Sequence, residues 1–142
     1  MFPGRIPEDA NVKFQLHDDK DGLTEWSLLN PKGGKITVSI PREAWNNRGV
    51  DNAPLIDVIN HELVHVADIA SGRAYQYYIK YGGSPIQRIE KAESIMKNIM
   101  DYKAYSENRW YNNYFRPDRP DIFSKQVGDY RKLLPKGWWE IQ

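Results

Sequence analysis

The feature that most constrains the fold is a dense run of apolar residues between Pro54 and Ser71. Its apolar residues are Leu55, Ile56, Val58, Ile59, Leu63, Val64, Val66 and Ile69. They are too closely spaced for a helix with one solvated face, so we expect a helix that is buried on most sides. Asp51 or Asn52 would cap its start, with Pro54 in the first turn, and Gly72 would end it.

Two short segments before this helix alternate apolar and polar residues, which is typical of β-strands with one buried face. Residues 12–16 form the first segment. Residues 35–40 form the second, which is rich in β-branched residues and stops at Pro41. Turn-forming sequences at residues 18–22 and 30–34 separate the segments. The sequence therefore predicts a small N-terminal sheet.

The chain after Gly72 predicts a second long helix. Residues 75–85 are interpreted as an aromatic connector, and from Pro85 to about Asn113 apolar residues recur at helical spacing. The stripe consists of Ile89, Ala92, Met96, Ile99 and Met100. Residues 116–120 break the helix, and a short helix with a packed tail is expected after them. Strands followed by two helices predict an α+β fold.

Length and composition indicate one domain over residues 1–142. Lys and Arg number 20 and Asp and Glu number 19, so no overall charge attracts the chain to nucleic acid or to an anionic membrane. No apolar run approaches the ~18 residues that a membrane span requires. The absence of cysteine excludes disulfides and thiolate metal sites.

The start of the chain gives expectations about where the domain works. Residues 1–5 lack the apolar core of a signal peptide, and the abrupt start is typical of a domain excised from a longer protein. We therefore expect a cytoplasmic domain, or a domain that is secreted or delivered as part of a larger protein.

Residues 61–65 fit the pattern H-E-x-x-H and fall inside the predicted buried helix. His61 and His65 are four residues apart and so share one face of the helix, from which both imidazoles can reach one metal ion. Glu62 lies about 100° round the helix, beside the metal. Imidazole and carboxylate ligands suit Zn²⁺, and the chain offers no softer ligand.

A carboxylate at Glu62 can take a proton from a metal-bound water and pass it to a leaving amine. Bound zinc lowers the pKa of that water to about 7. The alternative is that the motif arose by chance, yet two of the three histidines of the chain occupy it. Burying these polar groups without a metal would also leave them in need of partners. The third histidine, His17, is expected to be a solvated loop residue.

A catalytic zinc ion needs three protein ligands and an open position. Asp68 shares the helix face but lies about 10 Å along the axis from His61, so we expect it to support a ligand or to end the helix. The candidate third ligands are carboxylates of the second helix: Glu90, Glu93, Asp101 and Glu107. The apolar stripe places Glu93 and Glu107 near the buried side, and periodicity alone favours Glu107.

Residues 61–68 resemble the H-E-L-x-H-A-x-D form of the motif, with Val66 where alanine is common. That form occurs in the mitochondrial inner-membrane peptidase family that processes an ATP synthase subunit. It also occurs in metallopeptidase domains of bacterial polymorphic toxins and phage proteins. In these families the Glu of a downstream E-[IV]-[RK]-A element is the third ligand. Residues 101–104 are similar, with Asp101 replacing that Glu, and residues 106–108 resemble an E-N pair of some toxin domains.

The resemblance implies a minimal zincin-like domain and a zinc-dependent endopeptidase that acts on a protein or peptide, with toxin delivery as one setting. Its metal ligands would be His61, His65 and Asp101. The alternatives are an amidase acting on another C–N bond, such as a cell-wall peptide, and a non-catalytic metal-binding interaction module. The strand at residues 35–40 resembles the zincin edge strand, which can pair with an extended peptide.

Tyrosines around the two helices are candidates for lining a cleft or stabilising an oxyanion, although packing is their commoner role. These residues are Tyr75, Tyr77, Tyr78, Tyr81 and Tyr105.

Overall fold

A computed structural model describes residues 6–141 of the chain. The strands are β1 (Asn11–His17), β2 (Leu23–Glu25) and β3 (Lys35–Pro41). The helices are α1 (Arg42–Asn46), α2 (Ala53–Ala70), α3 (Arg73–Lys80), α4 (Glu90–Phe115) and α5 (Ser124–Arg131), followed by a 3₁₀ turn at Trp138–Glu140. The prediction of an α+β fold, with a small sheet before two main helices, is confirmed. The expectations drawn from residues 1–5 lie outside the described residues.

The sheet has the strand order β1-β3-β2, with β3 parallel to β1 and antiparallel to β2. The expectation that residues 35–40 form an exposed edge strand is therefore wrong. The strand is central because Ile36, Val38 and Ile40 are all buried and both of its sides carry a paired strand. The edge strands are β1 and β2, and β2 is the one that contacts α2. It has only three residues, too few for an alternating pattern to predict it.

The buried helix predicted from residues 54–71 is α2, shifted by one residue at each end. Asp51 accepts a hydrogen bond from the backbone N–H of Ala53 at 3.0 Å. After the helix, Gly72 has φ +87°, a left-handed conformation that glycine adopts without the steric cost of a side chain. Val64 and Val66 are fully buried, as the apolar density requires.

The segment interpreted as an aromatic connector overlaps a helix, α3, so that interpretation is wrong for residues 75–80. The helix forms because Tyr77 and Tyr78 turn into the core, where both are buried. The Tyr78 hydroxyl donates to the Gln87 carbonyl at 2.7 Å and accepts from the Ile89 N–H at 2.8 Å. These two bonds fix the loop that leads into α4.

The second long helix, α4, begins at Glu90 and packs along α2. Its first half buries apolar residues of the predicted stripe, including Met96 and Ile99. Its second half differs, because the buried side there carries Asn108 and Asn112. Polar side chains that are fully buried need hydrogen-bond partners.

A short helix and a packed tail complete the fold, as expected from the last residues. Val127 of α5 and the preceding Phe123 are buried against the rest of the chain. Within residues 6–141, no helix is both apolar enough and long enough to cross a membrane.

Candidate metal centre

His61 and His65 of α2 face Asp101 of α4, and the three side chains form one cluster. One potential ligand atom from each of them lies within 4.8 Å of the other two. The Nε2 atom of His65 is 3.1 Å from Asp101 Oδ1, and the Nε2 atom of His61 is 3.6 Å from it. The structure thus brings together the three residues predicted as metal ligands. Their binding of a metal stays a prediction.

Asp101 reaches the histidines although the apolar stripe of α4 points away from it. The helices α2 and α4 contact each other, and the small side chain of Ala104, three residues after Asp101, is fully buried. This close packing allows the short aspartate side chain to reach the imidazoles. Asp101 retains 30% exposure of its side chain, so one side of the cluster stays open to the cleft.

The other carboxylates considered as third ligands are not members of this cluster. Glu93 forms ion pairs with Arg88 and Lys97. Glu90 is exposed at the start of α4, and Glu107 is partly buried. Helical periodicity favoured Glu107 as the third ligand, but in the structure Glu107 is not in the cluster with the histidines.

Asn108 fixes the orientation of the His61 ring. Its Nδ2 atom donates to the backbone carbonyl of Asp57 at 2.8 Å, and its Oδ1 atom lies 3.0 Å from His61 Nδ1. A carbonyl accepts hydrogen bonds only, so the amide nitrogen must face Asp57 and the amide oxygen must face the ring. His61 Nδ1 must then donate its proton, which leaves the Nε2 lone pair directed toward the cluster.

Asn108 was not predicted as a site residue, although it was part of the resemblance at residues 106–108. A signal for it existed, because an asparagine on the buried side of a helix needs partners for both its amide groups. The partner on α2 lies far away in the sequence and could not be identified from spacing.

The charges of the cluster support one another. Burial alone would raise the pKa of Asp101, but the two imidazoles hold it well below its ordinary value. Burial alone would lower the pKa of His61, but Asp101, Glu62 and Asn108 together raise it above its ordinary value. An ionised carboxylate beside two imidazoles is a donor set that suits Zn²⁺.

Glu62 lies beside the cluster with only 4% of its surface exposed. The Thr24 hydroxyl of β2 donates to its Oε1 atom at 2.9 Å. Gly22 lies against the same side chain, since a Cβ atom there would come within 3.0 Å of Glu62 Oε2. Glu62 is thus held from the strand side, a contact that sequence reasoning did not predict.

A cleft of about 470 Å³ opens above the cluster. The segment from Gly22 to Thr24 lines one side, and Met100 and Tyr105 of α4 line another, with the motif residues between them. A cleft that contains a convergent set of polar and titratable groups is the usual form of a small active site.

Among the five tyrosines considered, Tyr105 lines the cleft. Its ring centroid lies 4.5 Å from that of His61, and its other neighbour is the stacked ring of Tyr130 at 5.5 Å. Burial and the charge of Asp101 raise the pKa of Tyr105 to about 12, so its hydroxyl keeps its proton at neutral pH and can donate a hydrogen bond. Tyr77 and Tyr78 have packing roles instead.

Asp68 has a supporting role away from the cluster. Its side chain is fully buried, and it forms ion pairs with Arg73 at 3.0 Å and with Lys103 at 2.5 Å. Lys103 also donates to the Tyr77 hydroxyl at 3.1 Å. These contacts join α2, α3 and α4 one turn beyond His65, and they explain why a lysine interrupts the apolar stripe of α4.

His17 is less solvated than expected, with 18% of its side chain exposed. Its Nε2 atom lies 2.7 Å from the backbone carbonyl of Asp21, at the end of the loop that leads into β2. The contact holds the loop in place, and it does not involve the metal cluster.

Comparisons with protein-family models, with curated proteins and with solved structures found no match for this chain. What the site does must therefore be inferred from its own residues.

Proposed function

We propose that this chain is a zinc-dependent peptidase of the zincin type, in which His61, His65 and Asp101 hold the metal and Glu62 is the general base. The observation that carries the proposal is the cluster itself, with one ligand atom from each of the three residues inside 4.8 Å. Three protein ligands with an open side are what a catalytic zinc site requires. The orientation of His61 by Asn108 supports the same role, because it leaves Nε2 free to bind.

A zinc ion at this cluster would polarise the scissile carbonyl and make water a stronger acid. Glu62 accepts the proton of the attacking water and returns it to the leaving amine. Its burial and its bond from Thr24 keep the carboxylate in one place, which a general base requires. Tyr105, protonated and next to His61, is available to donate a hydrogen bond to the developing oxyanion.

The substrate we propose is an extended peptide. Among the described residues, β2 pairs with β3 on one side and with no strand on the other. The backbone of an extended peptide can add to such a free edge. A chain bound there would lie in the cleft between β2 and α4, over the histidines. We therefore propose that the extended peptide pairs with β2, and not with residues 35–40 as the sequence suggested.

The alternatives use the same cluster differently. A non-catalytic zinc module does not need a buried carboxylate beside the metal. The presence of Glu62 at that position therefore favours a catalytic role. An amidase on another C–N bond would use the same base, but it would not need a free strand edge along the cleft. Cleavage of a target-cell protein by a delivered toxin domain, as the resemblance implies, is the biological setting we propose.

The test is hydrolysis of a random peptide library by the zinc-loaded protein, with Glu62→Gln as the matched control. The variant keeps nearly the same shape but cannot accept the proton, so we expect the same zinc content and a rate lower by about 10²–10⁴. Equal activity of parent and variant would show that Glu62 is not the base. No cleavage by the zinc-loaded parent would contradict the proposed function.

A further inference from the structure

The edge strand β2 and the general base are in direct contact. Thr24 is the middle residue of β2 and lies opposite Val38 of β3 in the sheet. Its hydroxyl donates to Glu62 Oε1 at 2.9 Å, across 38 residues of sequence. Glu62 is 4% exposed and Thr24 is half-buried, so this bond is partly shielded from water.

Gly22 reinforces this contact from the backbone. A Cβ atom at this position would lie 2.7 Å from Val58 Cγ1 and 3.0 Å from both Cγ and Oε2 of Glu62. A side chain at this position would therefore require Val58, Glu62 or the segment itself to shift. The segment from Gly22 to Thr24, which we call the strand contact, thus lies against the Glu62 side chain and donates a hydrogen bond to its Oε1 atom through Thr24.

The strand contact belongs to an element that is only weakly held. β2 has three residues, and within residues 6–141 its backbone pairs with a strand on one side only. Short edge strands with few backbone hydrogen bonds open at low free-energy cost. A peptide that pairs with the free side of β2 adds hydrogen bonds there, and it stabilises the position of Thr24.

We propose that Thr24 couples docking of an extended peptide on β2 to the positioning of Glu62, so that the site favours extended polypeptides over small amides. The inference rests on the proposed function. Thr24 is a positioning residue, because it acts through Glu62. Binding energy from residues far from the scissile bond then raises kcat as well as lowering KM, since part of it fixes the base in its reactive position.

The experiment uses peptides that share one scissile bond, selected from the library, and that increase in length on either side of it. For the parent we expect kcat to rise with length by about tenfold, together with a fall in KM. In Thr24→Val, which removes the hydroxyl and keeps the shape, kcat should be roughly ten- to a hundredfold lower for long peptides and should no longer rise with length. The fall in KM with length should persist, because the strand edge is still present.

Two controls separate positioning from folding. Thr24→Ser keeps the hydroxyl and should restore the rise of kcat. Thr37→Val changes a threonine of β3 that lies opposite Glu25, and it should behave like the parent. If Thr24→Val does not fold, Thr24→Ala takes its place. A rise of kcat with length in the valine or alanine variant equal to that of the parent would overturn the coupling.

A crystallographic comparison tests the same coupling without any activity. In zinc-free crystals with a long peptide bound, the Glu62 carboxylate should occupy one position in the parent and in Thr24→Ser, and it should shift in Thr24→Val. An unmoved carboxylate would overturn the inference even if the protein is a peptidase. A parent that cleaves no peptide, with Glu62 displaced in the valine variant, would contradict the proposed function and leave the positioning role of Thr24 supported.

Discussion

Asn108 Oδ1 lies 3.0 Å from His61 Nδ1, and this contact determines which nitrogen of His61 is free to bind a metal. The amide cannot turn over, because its nitrogen is engaged with the Asp57 carbonyl. A single buried asparagine therefore connects the packing of α4 against α2 to the chemistry of the cluster.

We predict that Asn108→Ala weakens zinc binding by about 10–100-fold, the usual effect of removing a group that orients a histidine ligand. Titration with a competing chelator measures the affinity. The matched control is Asn112→Ala, because Asn112 is equally buried one turn on and contacts Pro120 instead of a histidine. Equal zinc affinity in the two variants would show that Asn108 does not orient the ligand.

The two candidate third ligands, Asp101 and Glu107, can be distinguished by the zinc affinity of their alanine variants. Because Asp101 lies 3.1 Å from His65 and Glu107 is outside the cluster, Asp101→Ala should lose most of its zinc affinity, whereas Glu107→Ala should keep most of it. The same chelator titration compares them. A stronger loss in Glu107→Ala would reverse the assignment while leaving the two histidines in place.

Asp68 is predicted to be a stability residue. Asp68→Ala would leave the buried ammonium of Lys103 and the guanidinium of Arg73 without their carboxylate, which typically costs about 3–5 kcal/mol. Urea unfolding measures the change. Asp129→Ala removes the exposed pair with Lys125 and should leave the free energy of unfolding nearly unchanged, because water screens this pair. Similar values for the two variants would mean that the Asp68 contacts add little.

Asp121 anchors the start of α5 by accepting hydrogen bonds from Ser124, Asn113, Arg109 and the Phe123 N–H. These bonds, with that from the Ser124 hydroxyl as the largest, lower the pKa of Asp121 to about 2. The unfolded value is about 3.9, so the stabilisation is complete above that pH and disappears as the pH falls toward 2.

The stability difference between the parent and Asp121→Asn should therefore be largest near pH 5 and should shrink toward pH 2, as measured by urea unfolding at each pH. A difference that stays constant over this interval would show that the ionised carboxylate is not what stabilises the start of α5.

The sequence predicted the parts of this molecule that depend on local spacing. His61, Glu62 and His65 lie within one helical turn or so, and a helix fixes their relative positions wherever it packs. The boundaries of α2 followed in the same way from its apolar density, Pro54 and Gly72.

The parts that depend on tertiary packing were not predictable in this way. The apolar stripe describes the buried side of the first half of α4. Asp101 meets α2 only because of how the two helices pack, so periodicity favoured Glu107. The alternation of apolar and polar residues identifies β3 as a strand, but it does not show which strands pair with it. A central strand was therefore expected at the edge of the sheet. Thr24 and Glu62 are 38 residues apart in the sequence, so no sequence pattern could predict the contact between them.

The most direct test of the central claim is X-ray diffraction from crystals grown with zinc, recorded on both sides of the zinc absorption edge. We predict one anomalous peak per chain between α2 and α4, with the imidazole nitrogens of His61 and His65 and a carboxylate oxygen of Asp101 each about 2.0–2.2 Å from it. A crystal with no peak at this cluster, or with the ion held by other residues, would contradict the account.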